Sequence, residues 1–547
     1  MKPRLVWVST EKSGIWKRPA WGKSSVFLPA AQARFKTKQT PKRIYGRPRV
    51  EINHMNAKPP IQHRLAIDST LALGIKVISL PLSYLTSLAM ARFWGAQGLG
   101  TYTLAVYLIT TLSVVCRLGL DTGMLRFGAG LNATGQGGDI KELFWRGLTL
   151  ILCLSVSAAM GLFLARSWLV QVFHAPALPE VLILMSLALP VTVAAAFCGE
   201  TLRSLGGARW VVAQQDFLVP VSLLVLVGFL AWKGQTASRS PASLGLAYLV
   251  SGALGLGFLL TLLASYPKEH RDIARRTRLG DLFRYSWPLY LSGLLMLAFS
   301  ALDNLVLGFF TGPEKVAYYE AASRTALLVG LPLMAVNAII PPMFAHMHQK
   351  GRLKELEGLA QSSTRWMYYA SLPLALFMAA LAPDLLGLFG TGFGEGRWAL
   401  QVLIIAQLFN VACGSVGFLL AMSGHQYTLT ATLAVGGAVG LPLMAAGAAV
   451  FGLNGLALAK GFWLVGVNIL MSLGVYRRLG LRIFTSGVGW ANASAAVGFG
   501  LFWLIRPHLG PWSAAGAGAL IYLALITRTL YQEFTDIPFT TRWETTR

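Results

Sequence analysis

Long apolar runs constrain the fold of this chain more than any other feature. Stretches of about 20 residues with no charge, or with one isolated charge, recur from residue 67 to residue 531, and each is roughly long enough to cross a ~30 Å hydrocarbon core as a helix. The fourteen predicted spans are 67–91, 101–125, 147–170, 180–202, 211–232, 242–265, 285–310, 317–342, 366–389, 398–422, 428–450, 454–475, 486–505 and 511–530.

These runs favour helices over the strands of a membrane barrel. Residues 222–232, SLLVLVGFLAW, are apolar on every side, whereas a barrel strand alternates apolar and polar residues. With 55% hydrophobic and only 13% charged residues, a soluble globular domain is a poor fit to the composition. The sequence therefore predicts an all-α polytopic membrane protein with about fourteen transmembrane helices.

The distribution of Lys and Arg predicts the orientation. With the N-terminus inside, the inner loops contain most of the loop cations, including six between residues 268 and 284, and the outer loops contain about a third as many. We therefore expect both termini to be cytoplasmic, in a bacterial-type cytoplasmic (inner) membrane. The net charge of +25 follows mostly from this bias and from the N-terminal segment, so nucleic acid is not an expected partner.

Residues 1–65 differ from the rest of the chain. They contain fifteen Lys and Arg against Glu11 and Glu51, and they lack a periodic apolar face. The segment is predicted to be a basic disordered tail, with Trp7, Trp16 and Trp21 suited to an interface with anionic lipid headgroups. Translation beginning at Met55 is an equally open interpretation, and residues 1–54 are expected to be dispensable.

An internal repeat predicts two lobes. At an offset of 216 residues, Tyr102 aligns with Tyr318 and Phe173 with Phe389. An N-lobe of helices 1–6 (66–266) and a C-lobe of helices 7–12 (285–480) follow, joined by a charged cytoplasmic linker (267–284). Helices 13 and 14 and a C-terminal tail (481–547) complete the chain. Parallel repeats of this kind suit alternating access, in which two lobes rock around a cleft.

Several motifs at helix ends resemble one family. They are ARFWGAQGLGTYTLA (91–105), LGLDTGMLRFGAG (118–130), RYSWPLYLSGLL (284–295), LDNLVLGFFTGPEKVAYYEAASR (302–324) and FGLNGLALA (451–459). The chain resembles the polysaccharide and O-antigen flippases of the multidrug, oligosaccharidyl-lipid and polysaccharide exporter superfamily over about residues 66–480. The resemblance implies two six-helix lobes in a V around a central cavity, lined by helices 1, 2, 7 and 8, and two further helices.

The resemblance also implies a function and partners. The expected cargo is an oligosaccharide on a polyprenyl pyrophosphate, moved from the cytoplasmic to the outer leaflet for surface polysaccharide biosynthesis. Membrane lipids and other polysaccharide assembly proteins are the remaining expected partners. A cation-coupled multidrug or small-solute antiporter of the same superfamily is the alternative, and a lipid-binding scaffold without transport is a third class.

Charged residues inside the predicted spans are the candidate functional residues, because a charge in lipid is costly unless it contacts protein or a wet cavity. They are Lys76, Arg117, Asp121, Asp303, Glu320, Arg324, Asp384 and Lys460. Arg117 and Asp121 are one helical turn apart and are predicted to pair. Asp303 and Arg324 are predicted at equal depth on adjacent helices, and a second pair is expected there.

The cations among these residues suit an anionic cargo. We expect Lys76, Arg117 and Arg324 to bind the pyrophosphate, with Asp121, Asp303 and Glu320 as their charge partners in the cavity. A carrier of cationic drugs instead needs carboxylates in its N-lobe. The sequence has no catalytic motif, no cofactor fingerprint and no paired cysteine spacing for a metal or disulfide, so neither an enzyme nor a cofactor or metal site is predicted.

Overall fold

The structure is a computed structural model that describes residues 61–133, 137–233, 240–265, 301–483 and 488–536, together with Ser286, Trp287, Tyr290, Leu294 and Leu297. All of these residues lie in one compact unit, Pro59–Arg547. The described chain is helical and contains no β-strand. The predictions for the N-terminal tail up to residue 60 and for the linker 267–284 lie outside the described residues.

The N-lobe contains seven α-helices and one π-helical turn among its described residues. They are α1 (Ile61–Arg117), α2 (Leu120–Ala133), α3 (Gly137–Phe173), α4 (Leu178–Ser204), α5 (Ala208–Val212), the π-helical turn Ala213–Leu218, α6 (Val219–Lys233) and α7 (Ala242–Ala264). The turn joins α5 to α6 and makes the fifth predicted span one irregular helix. Each of the six spans predicted for this lobe overlaps a helix.

The C-lobe and the appended helices follow the same pattern, with more breaks. The described helices are α8 (Leu302–Thr311), α9 (Pro313–Leu327), α10 (Leu331–Asn337), α11 (Ile340–Gln349), α12 (Leu353–Ala380), α13 (Ala382–Gly387), α14 (Arg397–Cys413), α15 (Val416–Met422), α16 (Gln426–Leu479), α17 (Gly489–Leu509) and α18 (Pro511–Asp536). Short 3₁₀ turns at Leu328–Gly330 and Phe393–Gly396 complete the described helical elements.

Glycines in the left-handed region make the sharpest turns. Gly95 inside α1 has φ 70° and ψ −175°, and Gly312 between α8 and α9 has φ 83° and ψ 177°. Pro313 begins α9 directly after Gly312. Proline suits the first position of a helix, because an N–H group there has no partner within the helix. The nearly identical turns occupy corresponding places in the two lobes, as expected of the internal repeat.

Seven of the described helices are long and apolar enough to cross a membrane, or eight when the bent pair Pro313–Asn337 and Ile340–Gln349 counts as one span. Two of the seven, α1 and α16, are kinked at Gly95 and Gly452, and each covers all or most of two predicted spans. Large side chains such as Trp168, Trp232 and Phe462 are exposed on the surface, as suits contact with lipid. The chain is therefore a multi-pass membrane protein.

The two lobes touch closely at one end of the bundle, which we call the Gly312 end because the Gly95, Gly312 and Gly452 turns lie there. A Cβ atom on Gly100 would lie 1.8 Å from the carbonyl oxygen of Pro313, and one on Gly308 would lie 2.4 Å from Leu104. Only glycine allows so close an approach. Gln97 also donates a hydrogen bond to Glu314 across this contact, at 3.2 Å.

The lobes meet again at the opposite end, which we call the Gly119 end. Between α1 and α2 the helix breaks at Leu118 and Gly119, which have φ 48° and 73°. A Cβ atom on Gly119 would lie 2.7 Å from Tyr290 Cβ and 2.9 Å from the carbonyl oxygen of Ser286. The break thus brings the backbone of the second span against the seventh.

Candidate functional site

Glu320 on α9 is the centre of a buried polar network between the lobes. Its side chain is only 3% exposed. One carboxylate oxygen accepts hydrogen bonds from Tyr107 of the N-lobe and from Asn304 of α8, both at 3.3 Å. The other oxygen accepts from Arg324 one turn further along α9. A buried carboxylate needs this many donors to offset its desolvation.

Arg324 extends the network into the N-lobe. Its Nη1 donates to the backbone carbonyl oxygen of Ser83 at 3.2 Å and to the Ser83 hydroxyl at 3.1 Å. Its side chain keeps 32% of its surface exposed, whereas Glu320 is enclosed. Arg324 therefore connects the lobes, and about a third of its side-chain surface stays exposed.

Asp303 on α8 pairs with a different cation from the one that the sequence predicted. Lys460 Nζ on α16 lies 3.2 Å from Asp303 Oδ2, and Tyr319 donates to the same oxygen at 3.0 Å. The predicted Asp303–Arg324 pair is wrong. Counting residues from the ends of the spans gives the depth of each residue, but it does not give the face of the helix on which the residue lies. Arg324 pairs instead with Glu320, one turn away on the same helix.

The predicted pair of Arg117 and Asp121 is present, with Nη1 and Oδ2 2.6 Å apart. It does not lie on one continuous helix, because the break at Leu118 and Gly119 falls between the two residues. Both side chains are mostly buried. Glu200 on α4 interacts electrostatically with both members of the pair, so the pair is part of a larger polar group.

Lys76 lies apart from these pairs, and its side chain is exposed. Lys76 and Arg203 both interact favourably with the charge of Asp216 in the π-helical turn. Lys76 is therefore the most accessible of the three predicted cations. Asn304 links Asp303 to Glu320, and Glu320 in turn binds Arg324. Lys76 and Arg117 lie outside this network.

Sequence reasoning missed several members of these networks. Tyr107, Asn304 and Tyr319 are uncharged, so a search for charges inside apolar spans passes over them. Asp216 and Glu200 are charged and lie within the predicted spans, and the same criterion would have found them. Among the described residues no group of three or more His, Cys, Asp or Glu side chains is arranged to hold a metal ion.

The N-lobe also contains a cavity of about 200 Å³ between α4, the π-helical turn, α6 and α7. Its lining side chains are neutral. They belong to Thr192, Ala195, Ala196, Gln214, Gln215, Val219, Tyr248, Ser251 and Gly252. No sequence pattern indicates this cavity, because its lining residues are far apart along the chain.

Comparison with known families decides where the chain belongs. A family model described as "Polysaccharide biosynthesis protein" matches residues 89–393, more than half of the chain. The chain belongs to this family. The matched region includes α9, with Glu320 and Arg324, and most of the N-lobe, and it agrees with the resemblance that the helix-end motifs indicated.

Two curated relatives match shorter regions. The chain is 25% identical over 130 residues to a protein of Haloferax volcanii named "Probable flippase AglR", covering 23% of this chain and 27% of that protein. It is 26% identical over 202 residues to the uncharacterized membrane protein MJ1068 of Methanocaldococcus jannaschii, covering 36% and 40%. The chain thus matches less than half the length of either relative.

Solved structures share the fold. The lipid II flippase MurJ in an inward closed conformation matches with a TM-score of 0.67 and 12% identity, covering 85% of this chain and all of that one. An inward-facing multidrug resistance transporter of the MATE family and MOP superfamily matches with a TM-score of 0.62 and 16% identity, covering 75% and 98%. At these identities the likeness establishes the shared fold and leaves the cargo open.

Proposed function

We propose that this chain moves an oligosaccharide linked to polyprenyl pyrophosphate across the cytoplasmic membrane by alternating access. The match of residues 89–393 to the polysaccharide biosynthesis family is the observation that carries the proposal. The Haloferax relative is named as a probable flippase and the fold is shared with a lipid II flippase, and both agree with a transporter that flips its cargo. The chain acts as a transporter and not as an enzyme.

Pyrophosphate is the part of this cargo that needs the protein most. A phosphate group that leaves water for a cleft of low dielectric must be matched by fixed cations. Lys76 is exposed, and Arg324 contacts both lobes with about a third of its side-chain surface exposed. Arg117 contributes as a third cation, oriented by Asp121. The polyprenyl tail remains in the lipid throughout.

Alternating access requires the lobes to separate at one end while they stay in contact at the other. The contacts of Gly100 with Pro313 and of Gly119 with Tyr290 are the candidates for these two closures. The Gly119 end faces the cytoplasm in our proposal, with both termini and the 267–284 linker, because the loop cations are concentrated on that side.

Substitution of the cations tests the proposal. In vesicles that contain a fluorescent lipid-linked oligosaccharide, Lys76→Ala and Arg117→Ala are expected to abolish or sharply reduce flipping, and Lys76→Arg to retain part of it. Surface glycan in cells provides a second readout, with membrane protein level measured in parallel. Arg352→Ala is the control, because the described partner of the Arg352 side chain is the exposed Glu355.

The result also separates the two transporter classes. If Lys76→Ala and Arg117→Ala, separately and together, flip the oligosaccharide at the parental rate, the cationic mechanism is refuted. Efflux of a cationic dye by the parental protein, without oligosaccharide flipping, would instead identify a drug antiporter, in keeping with the fold shared with the multidrug resistance transporter.

A further inference from the structure

An open groove follows the two halves of α16, on either side of the kink at Gly452. The halves pack against each other, because a Cβ atom on Gly436 would lie 2.5 Å from Val467 Cγ2 and one on Gly474 would lie 3.2 Å from Thr428 Cγ2. The groove has a volume of about 460 Å³, within the range of about 300–1,000 Å³ that is typical of sites for small molecules.

The surroundings of this groove are lipid. α16 is apolar and long enough to cross the membrane. Val439 on its first half is 64% exposed and Phe462 on its second half is 70% exposed. Large apolar side chains that are exposed along a membrane-spanning helix contact lipid acyl chains, so lipid molecules have direct access to the groove.

The groove is polar at one end and apolar at the other. Tyr427 and Arg478 line it close to the two ends of α16, whereas Val435 and Leu470 line it deeper in the membrane. Eight residues separate the two levels on each half, or about 12 Å at ~1.5 Å per residue. Tyrosine and arginine are typical of the boundary between lipid and water. This order matches that of a phospholipid, with its headgroup at the boundary and an acyl chain below.

The charge at the polar end favours an anionic headgroup. The sequence of α16 contains no Asp or Glu, and it ends with the exposed Arg477 and Arg478. The first turn of α16, which carries Tyr427, adds the partial positive charge of a helix N-terminus. Basic side chains at the membrane surface attract lipids with a net negative charge.

The position of the kink determines which leaflet supplies the lipid. Gly452 lies at the Gly312 end, where its Cβ position is 3.6 Å from Thr311. Tyr427 and Arg478 are each separated from it by about 25 residues of helix, or about 38 Å, so the polar end of the groove lies at the opposite, Gly119 end. That end faces the cytoplasm in the proposed function.

We propose that this groove binds one anionic phospholipid of the cytoplasmic leaflet. Arg478 binds the phosphate, the exposed Tyr427 lies beside the headgroup, and an acyl chain packs between Val435 and Leu470. Ala431 is a small residue that leaves room for the chain. The leaflet rests on the orientation in the proposed function, whereas the site itself does not, because this lipid is separate from the cargo.

Native mass spectrometry of the purified full-length protein tests the site. The probes are phosphatidylglycerol and phosphatidylcholine with the same palmitoyl and oleoyl chains. We expect the parental protein to bind its first phosphatidylglycerol about fivefold more tightly than phosphatidylcholine, the ratio that one cation at the headgroup supplies.

Two neighbouring arginines provide a matched pair of variants. Arg478→Gln should retain one phosphatidylglycerol fewer than Arg477→Gln. Both changes remove one positive charge from the same end of α16, but only Arg478 lines the groove. Phosphatidylglycerol should also raise the thermal midpoint of the parental protein and of the Arg477 variant more than that of the Arg478 variant, since a ligand stabilises the state that binds it.

A second pair of variants tests the acyl chain. Ala431→Phe fills the groove without a change of charge and should lose the same phosphatidylglycerol. Ala438→Phe is the control, because Ala438 is also exposed and lies about two turns further along the same helix, outside the groove lining. Thermal unfolding without added lipid confirms that each variant is folded.

The outcomes decide the proposal. Equal retention by the two arginine variants, equal retention by the two phenylalanine variants, or equal binding of the two lipids by the parental protein refutes the site. A dimer that is lost only in the Ala431 variant would show that a second copy of the chain occupies the groove, and would refute the lipid site as well. No oligosaccharide is used, so these results leave the proposed transport function to its own test.

Discussion

Lys460 and Asp303 form a buried ion pair, with Nζ and Oδ2 3.2 Å apart, between helices that are distant in the chain. We predict that Asp303→Asn and Lys460→Gln are coupled by about 0.5–3 kcal/mol in the free energy of unfolding, as expected of residues in direct contact. Asp303→Asn and Arg324→Gln should be coupled less. Denaturation of the two double-mutant cycles in mixed micelles provides the measurement, and stronger coupling in the second cycle would contradict the observed pairing.

The pair of Glu320 and Arg324 provides a second prediction. Arg324→Gln leaves Glu320 buried without its cation, and we expect a loss of about 3–5 kcal/mol in the free energy of unfolding. Adding Glu320→Gln should recover part of this loss, because the buried charge is then removed as well. Detergent unfolding curves provide the measurement.

The exposed pair of Arg352 and Glu355 is the control for that experiment. Its charged atoms are 3.4 Å apart, and more than half of each side chain is exposed. Replacing Arg352 with Gln should cost only about 0–1 kcal/mol. Similar losses at Arg324 and Arg352 would show that the Glu320 network contributes little to stability.

Gly119 provides a third prediction, at the break between α1 and α2. Gly119→Ala forces a Cβ atom into a left-handed backbone, at a cost of about 1–2 kcal/mol, and brings that atom against Tyr290. Gly130→Ala on α2, with open space at its Cβ position, should be neutral or slightly stabilising. Thermal unfolding of the two variants tests this, and equal midpoints would argue against the close approach of the lobes at the Gly119 end.

A fourth prediction concerns the Gly312 end. Gly100→Ala introduces a Cβ atom where the Pro313 carbonyl lies, so the lobes cannot close there as they do in this structure. A variant with cysteines in place of Gln97 and Glu314 should be joined by a short thiol-specific cross-linker. Adding Gly100→Ala should sharply reduce that product.

Gly161→Ala is the control for the cross-linking experiment, because nothing lies within 4 Å of its Cβ position. Of the four native cysteines, Cys153 is the exposed one and should be replaced beforehand. An undiminished product with Gly100→Ala would mean that the lobes do not depend on this contact to close.

The helical organisation was predictable because apolar run length alone specifies a membrane helix. Helix breaks were harder to predict. Nothing in the apolar pattern marks Leu118, a non-glycine residue with φ 48°, because its conformation depends on the seventh span packed against its neighbour. The Arg117–Asp121 pair was predicted from a continuous helix, and it forms although the helix is broken.

The charged networks were predictable in membership but not in pairing. Asp303, Glu320, Arg324 and Lys460 interrupt apolar runs, so hydropathy identified them as charges inside spans. A charge at that depth in lipid is costly unless it has a partner. Pairing depends on the rotation of each helix about its axis, which tertiary packing determines. The N-lobe cavity was beyond sequence analysis for the same reason, because an empty volume is a property of several helices together.

The hydrogen bond from Arg324 to the backbone carbonyl oxygen of Ser83 has a consequence for the evolution of the family. Every amino acid at position 83 presents the same carbonyl group, so the inter-lobe contact survives substitutions there that would abolish a side-chain partner. A substitution at position 83 would thus remove only the bond to the Ser83 hydroxyl and would leave the bond to the carbonyl in place. A bond to a backbone carbonyl does not require paired changes at the two positions. Methods that infer contacts from such changes would therefore not detect it, although it spans the two halves of the protein.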